Sequence, residues 1–291
     1  MKQIDCIEVA NGMKSNVKKQ IFDFKEAFHK DPTLVIIRVG DDPASKVYIR
    51  NKVKVCEEVG IKTLINEFPA DIKESFLLEV ITQYNHDPNI HGIIVQLPLP
   101  EHIDEKTVCQ LVDTEKDVDG FHPHNIGGLQ SSGYIESSLF LPATAYGIKY
   151  LLTNRTKELK GKDAVVIGRS DIVGQPVAQL LLKMDMTVTI CHSHSLYLID
   201  HLKTADVVVA AAGVPGLINC NMLKPGAIVI DVGINRDENG KLCGDFDPTG
   251  SEEFEGYYTP VPNGVGRLTT AAVAAKTLFS AWGVELNNKG E

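Results

Sequence analysis

A lysine on the apolar face of a predicted helix is the first group that could do chemistry. Over residues 43–59, Tyr48, Lys52, Cys56 and Val59 recur at helical spacing and share one face. A lysine that loses hydration on such a face becomes easier to deprotonate and can then transfer protons. The alternative is a lysine that extends its ammonium group to the surface. Tyr48 is either a core aromatic or a platform for a flat ring.

Polar side chains also follow an apolar strand in the same half of the chain. The run Ile93–Leu97 reads as a buried strand, and Gln96 stands at its carboxyl end. Ligands of open α/β sheets bind beyond the carboxyl ends of the strands, so Gln96 is placed where a ligand would lie. Asp117 and Asp119 then precede Gly120. Two such carboxylates could cap a helix, bind a metal or hold a polar heterocycle.

A glycine-containing turn marks the second half of the chain. The apolar run Ala164–Ile167 predicts a buried strand, Gly168 ends it, and Gly174 precedes apolar residues at helical spacing. Strand, glycine turn and helix form a phosphate-binding unit, because the helix N-terminus offers free N–H groups and a positive dipole end. Ser170 stands where the dinucleotide fingerprint has its second glycine, so an ordinary βα connection is the alternative.

The residues after the next strand indicate which nucleotide would bind. The run Thr187–Cys191 predicts that strand, and His192, Ser193 and His194 follow it. A NAD-binding unit has a carboxylate near this point to hold the ribose 2′-hydroxyl, and no Asp or Glu lies here. Arg169 and Ser193 instead supply a cation and a hydroxyl, which suit a 2′-phosphate. The sequence therefore predicts NADP rather than NAD as the cofactor.

Composition narrows the class of protein. The chain has 291 residues, which favours about two domains, and a net charge of −9 without a cluster of Lys and Arg, which argues against nucleic acid as a partner. Six scattered cysteines without a C-x-x-C motif favour reduced thiols and a cytoplasmic protein. We expect no metal, since paired histidines such as His122 and His124 are usually structural. No run is long enough to span a bilayer, and no membrane partner is expected.

Strand and helix signals alternate along the whole chain. Asp42 and Pro43 predict the start of the lysine helix, and Gly60 predicts its end. Alternation of this kind predicts an α/β fold with doubly wound parallel sheets. The remaining elements are predicted at 13–29, 34–39, 63–68, 73–85, 146–152, 206–212, 227–232 and 269–282, with a hairpin turn at 237–240.

Taken together, these motifs resemble the bifunctional methylenetetrahydrofolate dehydrogenase/cyclohydrolase family. The resemblance covers nearly the whole chain, in order and at the family's spacing. It is carried by Tyr48-x-x-x-Lys52, Val95-Gln96-Leu97-Pro98-Leu99-Pro100, Lys116-Asp117-Val118-Asp119-Gly120-Phe121, Gly168-Arg169-Ser170-x-x-Val173-Gly174-x-Pro176, Gly226–Asn235 and Thr259-Pro260-Val261-Pro262.

The resemblance implies an N-terminal α/β catalytic domain at 1–140, joined by a C-terminal helix at 269–291. It also implies a Rossmann-like, doubly wound NADP-binding domain at 141–268 and a cleft between the two domains. Such enzymes are homodimers that oxidise 5,10-methylenetetrahydrofolate with NADP⁺ to the methenyl form and hydrolyse that to 10-formyltetrahydrofolate.

The resemblance also implies roles for single residues. Lys52 would transfer the proton, Gln96 would orient Lys52, Tyr48 would stack on the folate, and Asp119 would hold the pterin edge. Asp117 is read as a supporting residue. The cofactor would be bound by Gly168, Arg169, Ser170, Ser193 and the backbone of Ile234.

Two segments depart from the family pattern. Ala143 and Ala145 stand where the family has Cys and Pro, and Asn263, Arg267 and Leu268 stand where it has Gly, Pro and Met. Losing two prolines loosens the backbone, so we expect altered substrate affinity or a changed ratio of the two activities. Two rival interpretations are another NADP-dependent two-domain dehydrogenase, with a shikimate-type substrate, and a nucleotide-binding regulator without turnover.

Overall fold

The computed structural model describes residues 1–130, 141–156 and 158–289. Its strands are β1 (Lys2–Gln3), β2 (Thr33–Val39), β3 (Lys62–Phe68), β4 (Gly92–Val95), β5 (Asp163–Ile167), β6 (Thr187–Cys191), β7 (Val207–Ala210), β8 (Ile218–Asn219), β9 (Ile228–Asp231), β10 (Asn235–Arg236), β11 (Leu242–Cys243), β12 (Phe246–Asp247) and β13 (Tyr257–Tyr258). Its helices are α1 (Cys6–Phe28), α2 (Pro43–Val59), α3 (Glu74–His86), α4 (Glu105–Leu111), α5 (Pro123–Gly128), α6 (Ala143–Arg155), α7 (Gly174–Lys183), α8 (Leu198–Leu202) and α9 (Val265–Lys289). The predicted two-domain α/β class is confirmed.

The chain separates into two compact units. One comprises residues 11–143 and 270–291 and is called the three-stranded unit; the other comprises 1–10 and 144–269 and is called the six-stranded unit. Residues 131–140, where the expected first domain ends, lie outside the described part of the chain. The expected first domain also began at residue 1, whereas the first ten residues group with the six-stranded unit.

The three-stranded unit is built on a parallel sheet in the order β3-β2-β4. Every residue of β2 and β4 is buried, as their unbroken apolar runs predict for central parallel strands. One face of the sheet packs on α3 and α4 in a core cluster that includes Val35, Ile37, Leu77, Ile93 and Val108. The carboxyl ends of β2 and β4 therefore emerge side by side from a rigid base.

The six-stranded unit has a parallel sheet in the order β1-β13-β9-β7-β5-β6. From β5 the sheet grows to β6 on one side and to β7 and β9 on the other, so the winding reverses between β5 and β7. A reversal of this kind opens a crevice beyond the carboxyl ends of the two strands. The predicted hairpin at 237–240 is also present, as β10 pairs antiparallel with β11.

Strand β1 explains why the N-terminus belongs to the six-stranded unit. It pairs in parallel with β13, where Lys2 aligns with Tyr257, and the Ile4 amide donates to the Tyr258 carbonyl at 2.8 Å. Met1 is buried in the apolar core of this unit. Two residues paired over such a distance in sequence leave no periodic signal, so the sequence did not predict the strand.

Candidate active site

Helix α2 places Lys52 in the interior of the three-stranded unit. The Asp42 carboxylate caps the helix by accepting the Ser45 amide at 2.6 Å, and Pro43 occupies the first turn. Gly60 ends it in the left-handed region, at φ 101°. Both ends agree with the sequence prediction. The buried face carries Ser45, Ile49, Lys52, Cys56 and Val59, and Lys52 is only 7% exposed.

The Lys52 ammonium group is held by residues from two other segments. Its Nζ lies 3.1 Å and 3.3 Å from the two carboxylate oxygens of Asp119 and 3.3 Å from Oε1 of Gln96. The Gln96 amide group in turn donates to the Leu97 carbonyl at 2.8 Å, which fixes which end of the amide faces the lysine. The structure thus brings together Lys52, Gln96 and Asp119, three of the residues singled out in the sequence.

Asp117 shapes the loop that carries Asp119. Its carboxylate accepts the backbone N–H groups of Gly120, Phe121 and His122 at 2.8–3.2 Å, and the Asn125 amide at 2.9 Å. With both oxygens occupied, Asp117 acts on the backbone, as its interpretation as a supporting residue requires. His122 caps α5 through its ring nitrogen and the His124 amide.

Gly120 allows this loop to close. Its φ is +79°, and a Cβ there would come within 2.7 Å of the Pro142 backbone. The Ala143 amide then donates to the Asp119 carbonyl at 3.0 Å. The departure from the family pattern at Ala143 therefore lies next to Asp119 in space.

Tyr48 occupies a different position from the one its spacing suggests. It is 37% exposed and does not belong to the buried face of α2, so its interpretation as a core aromatic is wrong. It lies one helical turn before Lys52. Partial burial raises the pKa of Tyr48, which keeps the phenol protonated at neutral pH.

Lys276 is a buried charge near this site that sequence reasoning missed. It lies in α9, is 0% exposed, and its Nζ has no hydrogen-bond acceptor among the described residues. Burial lowers its pKa to about 8, while the charges of Asp117 and Asp119 act in the opposite direction. The available signal was a lone lysine within the alanine-rich run of 271–281.

In the six-stranded unit, two glycines close the predicted nucleotide turn between β5 and α7. A Cβ on Gly168, at φ +119°, would overlap the Ala211 carbonyl oxygen, and a Cβ on Gly174 would overlap the Gly168 carbonyl oxygen. The Gly174 and Gln175 amides both donate to Ser170, through its hydroxyl at 3.3 Å and its carbonyl at 3.1 Å. The turn is compact enough to require glycine at both positions.

Arg169 and Ser193 follow neighbouring strands at the same sheet edge. Ile167 of β5 aligns with Cys191 of β6, and the Gly168 amide donates to the Cys191 carbonyl at 2.8 Å. Both Arg169 and Ser193 are exposed beyond this pair. Their role in holding a phosphate stays a prediction.

A pair of buried aspartates shapes the loops next to the turn, and sequence reasoning missed it. Asp245 accepts the amides of Ala212, Gly213 and Val214 after β7 at 2.6–3.0 Å. Asp231 accepts three backbone N–H groups at 2.9–3.1 Å, including that of Asp245. Ile234, predicted to touch the cofactor through its backbone, is 51% exposed in the following loop.

The rest of the described chain supplies little evidence for other classes of site. Within residues 1–130, 141–156 and 158–289, no group of three or more His, Cys, Asp or Glu residues is arranged to hold a metal ion. Among the helices described, none has the length and hydropathy to cross a membrane.

Comparison with known proteins matches both parts of the chain. Residues 4–119 match the tetrahydrofolate dehydrogenase/cyclohydrolase catalytic domain, and residues 142–283 match the NAD(P)-binding domain of the same family. The "Bifunctional protein FolD" of Paraburkholderia xenovorans (strain LB400) is 48% identical over 96% of each chain.

Solved structures agree with these matches. The FolD methylenetetrahydrofolate dehydrogenase/cyclohydrolase of Campylobacter jejuni is 41% identical, with a TM-score of 0.91 over 97% of this chain and 99% of that one. The Trypanosoma brucei enzyme, solved with NADP and an inhibitor, is 34% identical, with a TM-score of 0.88 over 96% of each chain. The chain therefore belongs to the tetrahydrofolate dehydrogenase/cyclohydrolase family and is a bifunctional enzyme with a NAD(P)-binding domain.

Proposed function

We propose that this enzyme oxidises 5,10-methylenetetrahydrofolate to the methenyl form with NADP⁺ and then hydrolyses that form to 10-formyltetrahydrofolate, with Lys52 transferring the proton. The observation that carries the proposal is the buried Lys52, whose Nζ lies 3.1 Å from Asp119 and 3.3 Å from Gln96. The family and its relatives supply the two activities, and this cluster supplies a group able to move a proton.

The six-stranded unit has the features that a dinucleotide needs. Gly168 and Gly174 keep side chains out of the turn, and the ten-residue helix α7 begins there. Arg169 and Ser193 would hold the 2′-phosphate of NADP by charge and hydrogen bonding. Bound NADP⁺ would accept the hydride. Ser170 and the Ile234 backbone would fix its orientation, which matters because hydride transfer depends mainly on position.

The three-stranded unit has the features that hydrolysis needs. Water adds to the cationic methenyl carbon, the bond from that carbon to N5 breaks, one water proton ends on N5, and the other is released. Lys52 would carry the proton between water and nitrogen, because a buried amine flanked by acceptors can change protonation state. Gln96 would orient the amine, Asp119 would bind the pterin edge as well as Lys52, and Tyr48 would stack on the folate.

The test compares two activities of one preparation. One assay follows NADP⁺ reduction with 5,10-methylenetetrahydrofolate, repeated with NAD⁺; the other follows decay of the methenyl compound without nucleotide. Lys52→Met should lower cyclohydrolase turnover by about 10²–10⁴-fold, as expected for loss of a general acid-base group, and should affect the dehydrogenase less.

The matched control is Lys54→Met, which removes an exposed lysine from the same helix. This variant should keep both activities. Cyclohydrolase activity that survives in Lys52→Met would remove Lys52 from the mechanism, and equal rates with NAD⁺ and NADP⁺ would contradict the cofactor assignment.

The enzyme is further proposed to be a cytoplasmic homodimer, because the family it resembles is dimeric and its six cysteines are free. Light scattering on the purified protein should give about twice the 31.8 kDa mass of one chain. A mass equal to one chain at assay concentration would contradict the dimer.

A further inference from the structure

A second buried lysine lies within the electrostatic reach of the carboxylates of the candidate active site. Lys276 sits in the middle of α9 and is 0% exposed, and its Nζ has no hydrogen-bond acceptor among the described residues. A buried ammonium group is costly unless nearby negative charge compensates it. The proposed function does not use this residue.

Contacts of α9 show which segment Lys276 faces. One turn further along, the Ser280 hydroxyl donates to the carbonyls of His91 and Glu115. A Cβ built on Gly92 would meet methyl groups of both Thr277 and Val118. Residues four apart share a helix face, so Lys276 faces the same segment further along, where Asp117 and Asp119 flank Val118. The charges of both aspartates act on its ammonium group.

Lys276 adds a second buried cation near Asp117 and Asp119, besides Lys52. The neighbouring Lys116 instead directs its ammonium group to backbone carbonyls of residues 84, 85 and 87. Asp117 already accepts four hydrogen bonds, three from backbone N–H groups of its own loop and one from Asn125 of α5. Asp119, which holds Lys52, is thus the carboxylate whose position depends most on the second cation.

We propose that Lys276 is a positioning residue for the cyclohydrolase step: its buried positive charge holds Asp119 in hydrogen-bond contact with Lys52. The inference rests on the proposed function, since it assigns Lys276 a role only through the Lys52–Asp119 pair. It is a charge effect at a distance, because Lys276 is buried and does not reach the substrate.

The direction of the effect follows from electrostatics. Removing a nearby positive charge makes protonation of both a carboxylate and an amine more favourable. Loss of Lys276 therefore moves the acid limb of the cyclohydrolase pH profile to higher pH. Cys109 of α4 also lies within the electrostatic reach of Asp117 and Asp119, and burial raises its pKa to about 12, outside the assay range.

Lys276 itself titrates within the assay range. Burial lowers its pKa to about 8, so the residue is charged at neutral pH and loses its charge as the pH rises beyond that value. The parent enzyme and a variant without this charge should differ at pH 6–7 and converge at roughly pH 9. A purely structural role would not produce that convergence.

The experiment measures cyclohydrolase kcat/KM from about pH 6 to 9 for the parent and for Lys276→Met, which keeps an unbranched side chain of nearly the same length without the charge. We expect the acid limb to move up by about one pH unit and activity near pH 7 to fall by roughly tenfold. The matched control is Lys30→Met, which removes the lysine that binds Glu285 of α9 at 2.8 Å and should leave the profile unchanged.

A second variant separates charge from packing. Lys276→Gln stays polar but uncharged and should shift the profile as Lys276→Met does; a parental profile in both variants overturns the inference. Lys52→Met distinguishes failure of the proposed function from failure of the role of Lys276. If it retains cyclohydrolase activity, the proposed function fails; if it loses activity while both Lys276 variants keep the parental profile, only the role of Lys276 fails.

Discussion

Nζ of Lys52 lies 3.1 Å from Oδ2 of Asp119, and the two side chains are only 9% and 11% exposed. An ion pair at this depth gives up hydration on both sides, so each charge depends on the other for compensation. The pair joins α2 to the loop between α4 and α5 within one unit. Its energetics can therefore be tested separately from catalysis.

Removing one member of this ion pair should destabilise the protein more than removing both members. Asp119→Asn leaves a buried ammonium group without its carboxylate and should destabilise the protein by about 3–5 kcal/mol. The double variant Lys52→Met/Asp119→Asn leaves no such charge and should recover part of that loss. Urea denaturation of the parent, both single variants and the double variant measures the coupling. A double variant as unstable as the sum of the single ones would show that the two residues do not interact.

The absence of charge on the Gln96 side chain should be needed for the parental pH profile of the cyclohydrolase. Its Oε1 lies 3.3 Å from Nζ of Lys52, so Gln96→Glu places a second carboxylate against the ammonium group with little change of shape. A nearby negative charge favours the protonated lysine, and the acid limb of the cyclohydrolase profile should rise by about 1–2 pH units. Gln96→Met, which adds no charge, should lower the rate without that shift. Equal profiles for the Glu variant and the parent would argue against orientation of Lys52 by Gln96.

Gly174 should be required for nucleotide binding. A Cβ at this position would overlap the Gly168 carbonyl, so Gly174→Ala should open the turn at a cost of about 1–3 kcal/mol and weaken NADPH binding by roughly tenfold or more. Gly283→Ala is the control, because a Cβ there meets no described residue within 4 Å outside the neighbouring backbone of its own helix. Fluorescence titration with NADPH compares them. Unchanged affinity in the Gly174 variant would contradict a nucleotide site at this turn.

Substitution of Arg267 tests whether departures from the family pattern alter activity. Its guanidinium donates to Oδ1 of Asn263 at 2.8 Å and 3.2 Å, and Asn263 adopts φ +70°, as expected of an asparagine that replaces glycine. Arg267→Pro removes these hydrogen bonds and the hydrogen bond from the Arg267 backbone amide to the Gly264 carbonyl. We expect a change of about fivefold in folate KM or in the ratio of the two activities, equivalent to about 1 kcal/mol.

Arg267→Ala separates the effect of the proline ring from that of losing the arginine. It should reproduce the part of the change due to the guanidinium alone. Kinetics of Arg267→Pro that match those of the parent would show that this departure has no effect on activity.

Local signals predicted the parts of the fold and site that depend on local structure. Asp42 and Gly60 mark the two ends of α2, as predicted, because N-capping and the left-handed C-cap act within one turn. The burial of Lys52 followed from helical spacing, and the glycine turn followed from the order of strand, glycine and helix. The same spacing failed for Tyr48, since a residue at the edge of a helix face is buried or exposed according to what packs beside it.

Features that depend on long-range contacts were not predictable. The pairing of β1 with β13 joins Lys2 to Tyr257, and Lys276 meets the 117–119 segment only because α9 packs on it. Asp231 and Asp245 looked like ordinary polar residues in sequence, yet both are buried. In each case the partner that gives the residue its role is brought to it by the tertiary fold.

Asp231 should make folding of the six-stranded unit depend on pH in an unusual direction. Burial, reinforced by the charge of Asp245, raises the pKa of Asp231 to about 6 against the effect of its backbone hydrogen bonds. A carboxyl group with a raised folded pKa adds stability below its unfolded value, near 3.8, and loses it as the pH rises to about 6. The change amounts to about 3 kcal/mol. The cost of Asp231→Asn should therefore be larger near pH 4 than near pH 7, by up to that amount.

Asp206 of the same unit supplies a control of opposite sign. Burial opposes the shift, but hydrogen bonds from Lys224 at 2.6 Å and the Asp163 amide at 3.0 Å hold the pKa of Asp206 below its ordinary value. Its contribution is present above about pH 4 and is lost as the pH falls, so Asp206→Asn should cost more near pH 7 than near pH 4. Denaturation at both pH values compares the variants. A cost of Asp231→Asn that rises with pH, as for Asp206→Asn, would show that Asp231 is ionised throughout and that its backbone donors outweigh its burial.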